Sequence, residues 1–158
     1  MDKRFSSCEI VEMSIQIEKN GKDFYSAIAG KTEEPEVKKV FTYLAGEEEK
    51  HIEVFKGIFA STCDLSPEGA FPEDYFAYMN ALAGQYVFTK KNKGAELAGS
   101  VGSRDEGIDV GITFEKDSIL FFEEVKKAVP EKDRAAIDLL IEEEKKHLKQ
   151  LLDLKSGQ

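Results

Sequence analysis

The chain has two histidines, His51 and His147, and each stands three residues after a glutamate, Glu48 and Glu144. Three residues is close to one helical turn, so on a helix each pair would present a carboxylate and an imidazole on one face. Each histidine also follows a run of three acids, Glu47 to Glu49 and Glu142 to Glu144, so the spacing alone carries little weight. Register discriminates better. In the first run only Glu48 joins the apolar stripe of Leu44, His51 and Phe55; in the second only Glu144 joins Leu140, His147 and Leu151. The neighbouring acids are expected to point to water. Two more glutamates stand alone in apolar stripes: Glu18 among Val11, Ser14, Gly21, Tyr25 and Ile28, and Glu115 among Ile108, Ile112, Ile119 and Phe122.

Four carboxylates brought together in a core repel one another, and each buried ion costs several kcal/mol unless it is paired. Two divalent cations would neutralise the four charges. Carboxylate oxygen with imidazole nitrogen suits iron, manganese or zinc, and the lack of a thiolate in the set argues against copper(I) or an iron–sulfur cluster. The competing reading is a satisfied polar layer that holds no metal.

Helices must place these side chains. The stripes predict four long ones, at about 2–30, 35–60, 103–128 and 131–154, within a single domain spanning 1–158. Ser103 and Glu106 fit a capping box at the start of the third, and Pro130 ends it. Glu18, Glu48, Glu115 and Glu144 each fall near the middle of a helix, so all four would meet at one depth. The connection 61–102 is too long for a turn, and Phe71, Tyr75, Met79, Leu82 and Tyr86 are spaced for a short helix at about 72–88. Lys90 to Gly102 reads as a linker. A connection of this length allows the second and third long helices to run parallel. The two halves also repeat: IEKNGKDFY (17–25) aligns with FEKDSILFF (114–122), and Glu48-x-x-His51 with Glu144-x-x-His147. The result is an all-α four-helix bundle made of two similar hairpins.

Composition narrows the function classes. The 158 residues carry 22 Lys and Arg against 31 Asp and Glu, a formal charge of −9 that disfavours nucleic acid as a partner. No apolar run would span a membrane, and the N-terminal stretch lacks a continuous apolar region, which points to the cytoplasm. Cys8 and Cys63 form no CxxC pair, so an electron donor would be external. They would lie at the same end of the bundle, where a disulfide is feasible, but two idle reduced thiols are the preferred expectation. The aromatic crossover residues Phe71, Tyr75, Phe76 and Tyr78 make a homodimer the expected assembly.

On Glu18 with Phe24-Tyr25, Glu48-x-x-His51, Glu115 in EKDSILFF, and Glu144-x-x-His147, the chain resembles the rubrerythrin-like branch of the ferritin-like di-iron carboxylate proteins. The resemblance covers the four long helices and implies a ferritin-like bundle with a long crossover between helices two and three. It also implies two iron ions bridged by Glu48 and Glu144, with Glu18 and His51 completing one shell and Glu115 and His147 the other. The implied activity is an oxidoreductase that reduces hydrogen peroxide or dioxygen with an external donor such as a rubredoxin-like protein. Two features depart from that family's pattern. The 158 residues contain no rubredoxin-like domain, and the positions one turn from Glu115 are Ile112 and Ser118 rather than a second acid. Ile17, Phe24, Phe55, Ile119, Phe122 and Leu148 are candidates for the apolar wall. Tyr25 is the candidate catalytic residue, placed to hydrogen-bond a ligand or an oxygen species, or else a core filler. A ferritin-like iron-oxidising and sequestering protein, and a structural bundle holding zinc or no metal, remain alternatives.

Overall fold

Ser6 starts the first helix, α1 (Ser7–Lys31), with a reciprocal cap: its hydroxyl accepts from the Glu9 amide at 3.2 Å, and Glu9 Oε2 accepts from the Ser6 amide at 2.8 Å. Ser6 is extended, so α1 as described begins at Ser7; residues 2–5 of the expected span lie outside the described residues. The computed structural model describes residues 6–63, 73–85 and 90–158. Five further helices follow: α2 (Pro35–Cys63), α3 (Glu73–Gln85), α4 (Lys93–Ser100), α5 (Arg104–Ala128) and α6 (Glu131–Ser156). Pro35 occupies the first helical position of α2, where a missing amide proton costs nothing. At α5, Ser103 Oγ accepts from the Glu106 amide, but Glu106 Oε2 turns to the Gly102 amide instead of closing the box on Ser103. Val129 is extended ahead of Pro130, and Gly157 ends α6 with a φ of 72°.

The long helices α1, α2, α5 and α6 form the bundle. Contacts Cys8–Cys63 and Tyr25–Phe41 run α1 against α2 in opposite directions. Tyr25 over Gly111 and Ile28 beside Gly107 do the same for α1 and α5. The pairs Ser61–Asp133 and His51–Glu144 set α2 antiparallel to α6, and Lys126–Asp138 with Arg104–Leu154 set α5 antiparallel to α6. Since α2 and α5 both oppose α1, they are parallel to each other, which is what the long crossover makes possible. The core consists of the inward stripes, with Phe24, Phe41, Phe55, Phe114, Phe121 and Phe122 fully buried. Ile119 and Leu148 are half-buried at its margin. Among the described residues no helix is long and apolar enough to cross a membrane.

Two expectations need correction. Residues 93–100 of the expected linker form α4, a helix of 8 residues that is too short to be stable by itself and is held by docking. Buried Asn20 of α1 supplies the dock: its Nδ2 donates to the Lys90 carbonyl at 2.6 Å, and its Oδ1 accepts from the Gly94 amide at 3.3 Å. A Cβ on residue 94 would sit 1.9 Å from the Asn20 carbonyl oxygen, so only glycine permits this approach. In the crossover, Met79 is buried and the Tyr75 hydroxyl donates to the Glu124 carbonyl at 2.6 Å. Phe71 and Tyr86 and the Phe76 side chain lie outside the described residues.

The second correction concerns the cysteines. Cys8 and Cys63 are not free thiols but a disulfide, with Cα atoms 5.2 Å apart, tying the start of α1 to the end of α2. Hairpin geometry brings them together, and their separation of 55 residues makes the closed loop large. By loop entropy such a link stabilises the fold by about 4 kcal/mol. Denaturant unfolding with and without reductant should differ by roughly that amount in the stability of the fold. Two free thiols titrated in protein unfolded without reductant would contradict the bond.

Candidate metal centre

The four stripe glutamates reach one level because each is central in its helix. Counting from the first residue, Glu18 is twelfth of 25 in α1, Glu48 fourteenth of 29 in α2, Glu115 twelfth of 25 in α5, and Glu144 fourteenth of 26 in α6. All four are fully buried, and the two histidines nearly so. Both imidazoles turn Nδ1 inward. His51 Nδ1 lies 3.0 Å from Glu144 Oε1, 3.5 Å from Glu18 Oε2 and 3.8 Å from Glu48 Oε2. His147 Nδ1 lies 3.1 Å from Glu144 Oε2, 3.9 Å from Glu48 Oε1 and 4.0 Å from Glu115 Oε2. The rings stack at 5.5 Å between centroids.

Among the described residues, two groups have ligand atoms all within 4.8 Å of one another: Glu18, Glu48, His51 and Glu144, and Glu48, Glu115, Glu144 and His147. They share Glu48 and Glu144, and each adds one private carboxylate and one private imidazole. Six side chains thus define two adjoining pockets of oxygen and nitrogen, each able to hold a divalent cation.

Both oxygens of Glu18, both of Glu48 and Oε2 of Glu115 are buried without a hydrogen-bond partner. Buried acceptors without donors are costly, and cations would satisfy them. Without cations, burial together with the Glu144 charge pushes Glu18 and Glu115 well above the usual carboxylate range, and burial with the Glu18 charge does the same to Glu48. Glu144 goes the other way: burial would raise it, but hydrogen bonds from His147 and His51 outweigh that and hold it low. Burial alone would lower His51, yet its bond to Glu144 and the charges of Glu144 and Glu48 carry it up to about 9. In the cation-free site the shifts of Glu18, Glu48, Glu115 and His51 thus all favour bound protons, while that of Glu144 favours its charge.

Tyr25 is buried with its hydroxyl donating to Glu115 Oε1 at 2.5 Å and lying 3.4 Å from the Gly111 carbonyl. Burial and the Glu115 charge push the phenol well above its ordinary value, so it keeps its proton. Ile17, Phe24, Phe55 and Phe122 are buried in the same core.

Two residues escaped the reading by register. Glu143 was expected to face water, but its Oε2 sits 2.9 Å from His51 Nε2 while its side chain stays 44% exposed. Its place follows from how α6 crosses α2, which the stripe of α6 does not encode. Ser118, one turn from Glu115, is buried with its hydroxyl unpartnered. Its place on the buried face is readable from spacing with Glu115, but its lack of a partner is not.

Comparison with known proteins agrees with this geometry. No protein of curated function matches the chain significantly. A crystal structure from Thermotoga maritima, assigned to the ferritin-like diiron-carboxylate class, superimposes with a TM-score of 0.69 at 24% identity, covering 99% of this chain and 98% of that one. At that identity the match speaks for the fold, which is ferritin-like. The rubrerythrin family model matches residues 9–155, nearly the whole chain and every residue of both ligand groups. The chain belongs to the rubrerythrin family.

Proposed function

We propose that the protein is a non-haem di-iron oxidoreductase that reduces hydrogen peroxide or dioxygen with electrons from an external donor. The observation that carries this reading is the pair of overlapping, buried ligand groups sharing Glu48 and Glu144. Glu18 and His51 would complete one ion's shell and Glu115 and His147 the other's. Family membership supports peroxide or dioxygen as the oxidant. A rubredoxin-like protein fits as the donor, since Cys8 and Cys63 are joined to each other and the chain has no other cysteine. Manganese and zinc suit the same donor set, and a homodimer is the assembly we expect.

When bound, a pair of iron ions supplies two electrons at once, so that with two protons one peroxide becomes two waters. The chain's own residues prepare the place for this. Glu48 and Glu144, common to both ligand groups, would serve both positions from the middles of α2 and α6. Phe24, Phe55 and Phe122, buried in the same core, would help to keep bulk water from the layer. Tyr25 keeps a proton on Oη, directed at Glu115 Oε1, and so restrains that carboxylate.

Removing a shared ligand should affect both positions. Glu144→Ala should take metal content from two ions per chain toward none and abolish peroxide turnover, whereas Glu49→Ala, on an exposed side chain paired with Lys22, should leave both unchanged. Metal analysis and steady-state peroxide consumption with a reductant measure this. Equal losses in the two variants would refute the site. Stoichiometric iron uptake into a large particle without turnover would favour sequestration instead. Zinc or no metal in protein purified without added metal would favour a structural bundle.

The protons of the metal-free site predict its pH behaviour. His51 is raised from 6.5 to about 9, so the stability it contributes is complete below 6.5 and is lost as pH rises through 9. The raised Glu18, Glu48 and Glu115 act in the same direction, while the lowered Glu144 loses its contribution only on the acid side of its ordinary value. Chelator-treated protein should therefore melt at progressively lower temperature from pH 6.5 to 9 relative to metal-loaded protein. Parallel melting profiles would contradict this account. Metal uptake should release protons and reverse on acidification toward about pH 5, read by metal retained after dialysis.

A further inference from the structure

The two halves of the bundle repeat, and the repeat breaks where it touches the ligands. The offset of the α1 and α5 ligands, 115 minus 18 or 97, maps Tyr25 onto Phe122. The offset of the α2 and α6 ligands, 144 minus 48 or 96, maps Glu47 onto Glu143. Neither pair is chemically equivalent in the structure. Glu143 Oε2 bonds His51 Nε2 at 2.9 Å, whereas its counterpart Glu47 is engaged by Lys50 Nζ at 2.5 Å. Among the described residues no carboxylate bonds His147 Nε2, and the neighbouring ring is Tyr43, edge-on at 6.1 Å. Tyr25 occupies one oxygen of Glu115, but Phe122 has no hydroxyl to offer, and both oxygens of Glu18 are without a donor.

Resting on the di-metal reading above, we infer that the two metal positions are inequivalent and that Glu143 is the positioning residue that makes the Glu18–His51 position the tighter one. A neutral imidazole has one N–H and one lone pair. In the metal-free site Nδ1 donates to Glu144, and when a cation replaces that proton Glu143, by accepting from Nε2, would hold the tautomer that turns the Nδ1 lone pair toward Glu18, Glu48 and Glu144 and would make that nitrogen a stronger donor. His147 has no such acceptor among the described residues, so its imidazole is less strongly polarised and its tautomer less constrained. The carboxylates act in the same sense. Glu18 offers two free oxygens, while Glu115 has one restrained by the Tyr25 hydroxyl. The Glu18–His51 position fills first, and the Glu115–His147 position is the more weakly held and more open of the two.

Cobalt(II) added to the metal-free protein without oxygen, followed by its visible absorption, should bind in two steps. Glu143→Leu should weaken the tighter step by about tenfold to hundredfold and leave the weaker one in place. Glu143→Gln, whose side-chain carbonyl still accepts from Nε2–H, should recover most of that loss, and Glu47→Leu should change neither step. Tyr25→Phe, which frees Glu115 Oε1, should tighten the weaker step. Independently of any variant, nitrogen NMR of the histidine rings with one equivalent of zinc(II) should show His51 bound through Nδ1 and protonated on Nε2, with His147 still metal-free. Weakening of both steps alike by Glu143→Leu, no weakening of either, His147 filling first, or His51 binding through Nε2 would each overturn the inference. Failure of the wild-type protein to take up either ion would instead sink the di-metal reading beneath it.

Discussion

Charge in a closed space governs this molecule. Four carboxyl groups from four helices occupy one buried layer, and a low-dielectric core does not accept four negative charges in contact. The layer must hold either protons or cations, and the perturbed acids describe the first state as clearly as the shared ligand groups describe the second. The surrounding packing serves this constraint. Phe24, Phe41, Phe55 and Phe122 lie buried in the same core, the antiparallel neighbours hold the depth of the layer, and the disulfide and the docked α4 secure the helices that supply it.

Much of this was legible in the sequence because a helix converts spacing into direction. Glu48 and Glu144 could be separated from the other acids of their runs by register, and they are the members of those runs that lie fully buried, while Glu49 and Glu142 are exposed. The repeat gave the two hairpins and the common depth. The all-α bundle followed from those stripes and from a crossover long enough to return the chain to the starting end.

What the sequence hid depends on how elements sit against one another. The disulfide depends on the antiparallel pairing of α1 and α2, which brings the start of one beside the end of the other. The helix α4 needed the Asn20 dock and the missing Cβ of Gly94, since 8 residues are too few to hold a helix unaided. Glu143 needed the crossing of α2 and α6: its own helix places it beside the stripe, and only the neighbouring helix brings His51 Nε2 to it. In all three cases the deciding partner is distant in sequence.

Ser118 completes the charge argument. The position one turn beyond Glu115 is buried and holds a neutral hydroxyl with no partner, so the layer contains four carboxylates and not five. Four negative charges are balanced by two divalent cations with neutral imidazoles, whereas a fifth would leave one charge uncompensated in the same enclosed space. The departure at Ser118 therefore fits the rest of the site. It keeps the buried carboxylates of the layer at four, one of which, Glu115, accepts from the buried Tyr25 hydroxyl.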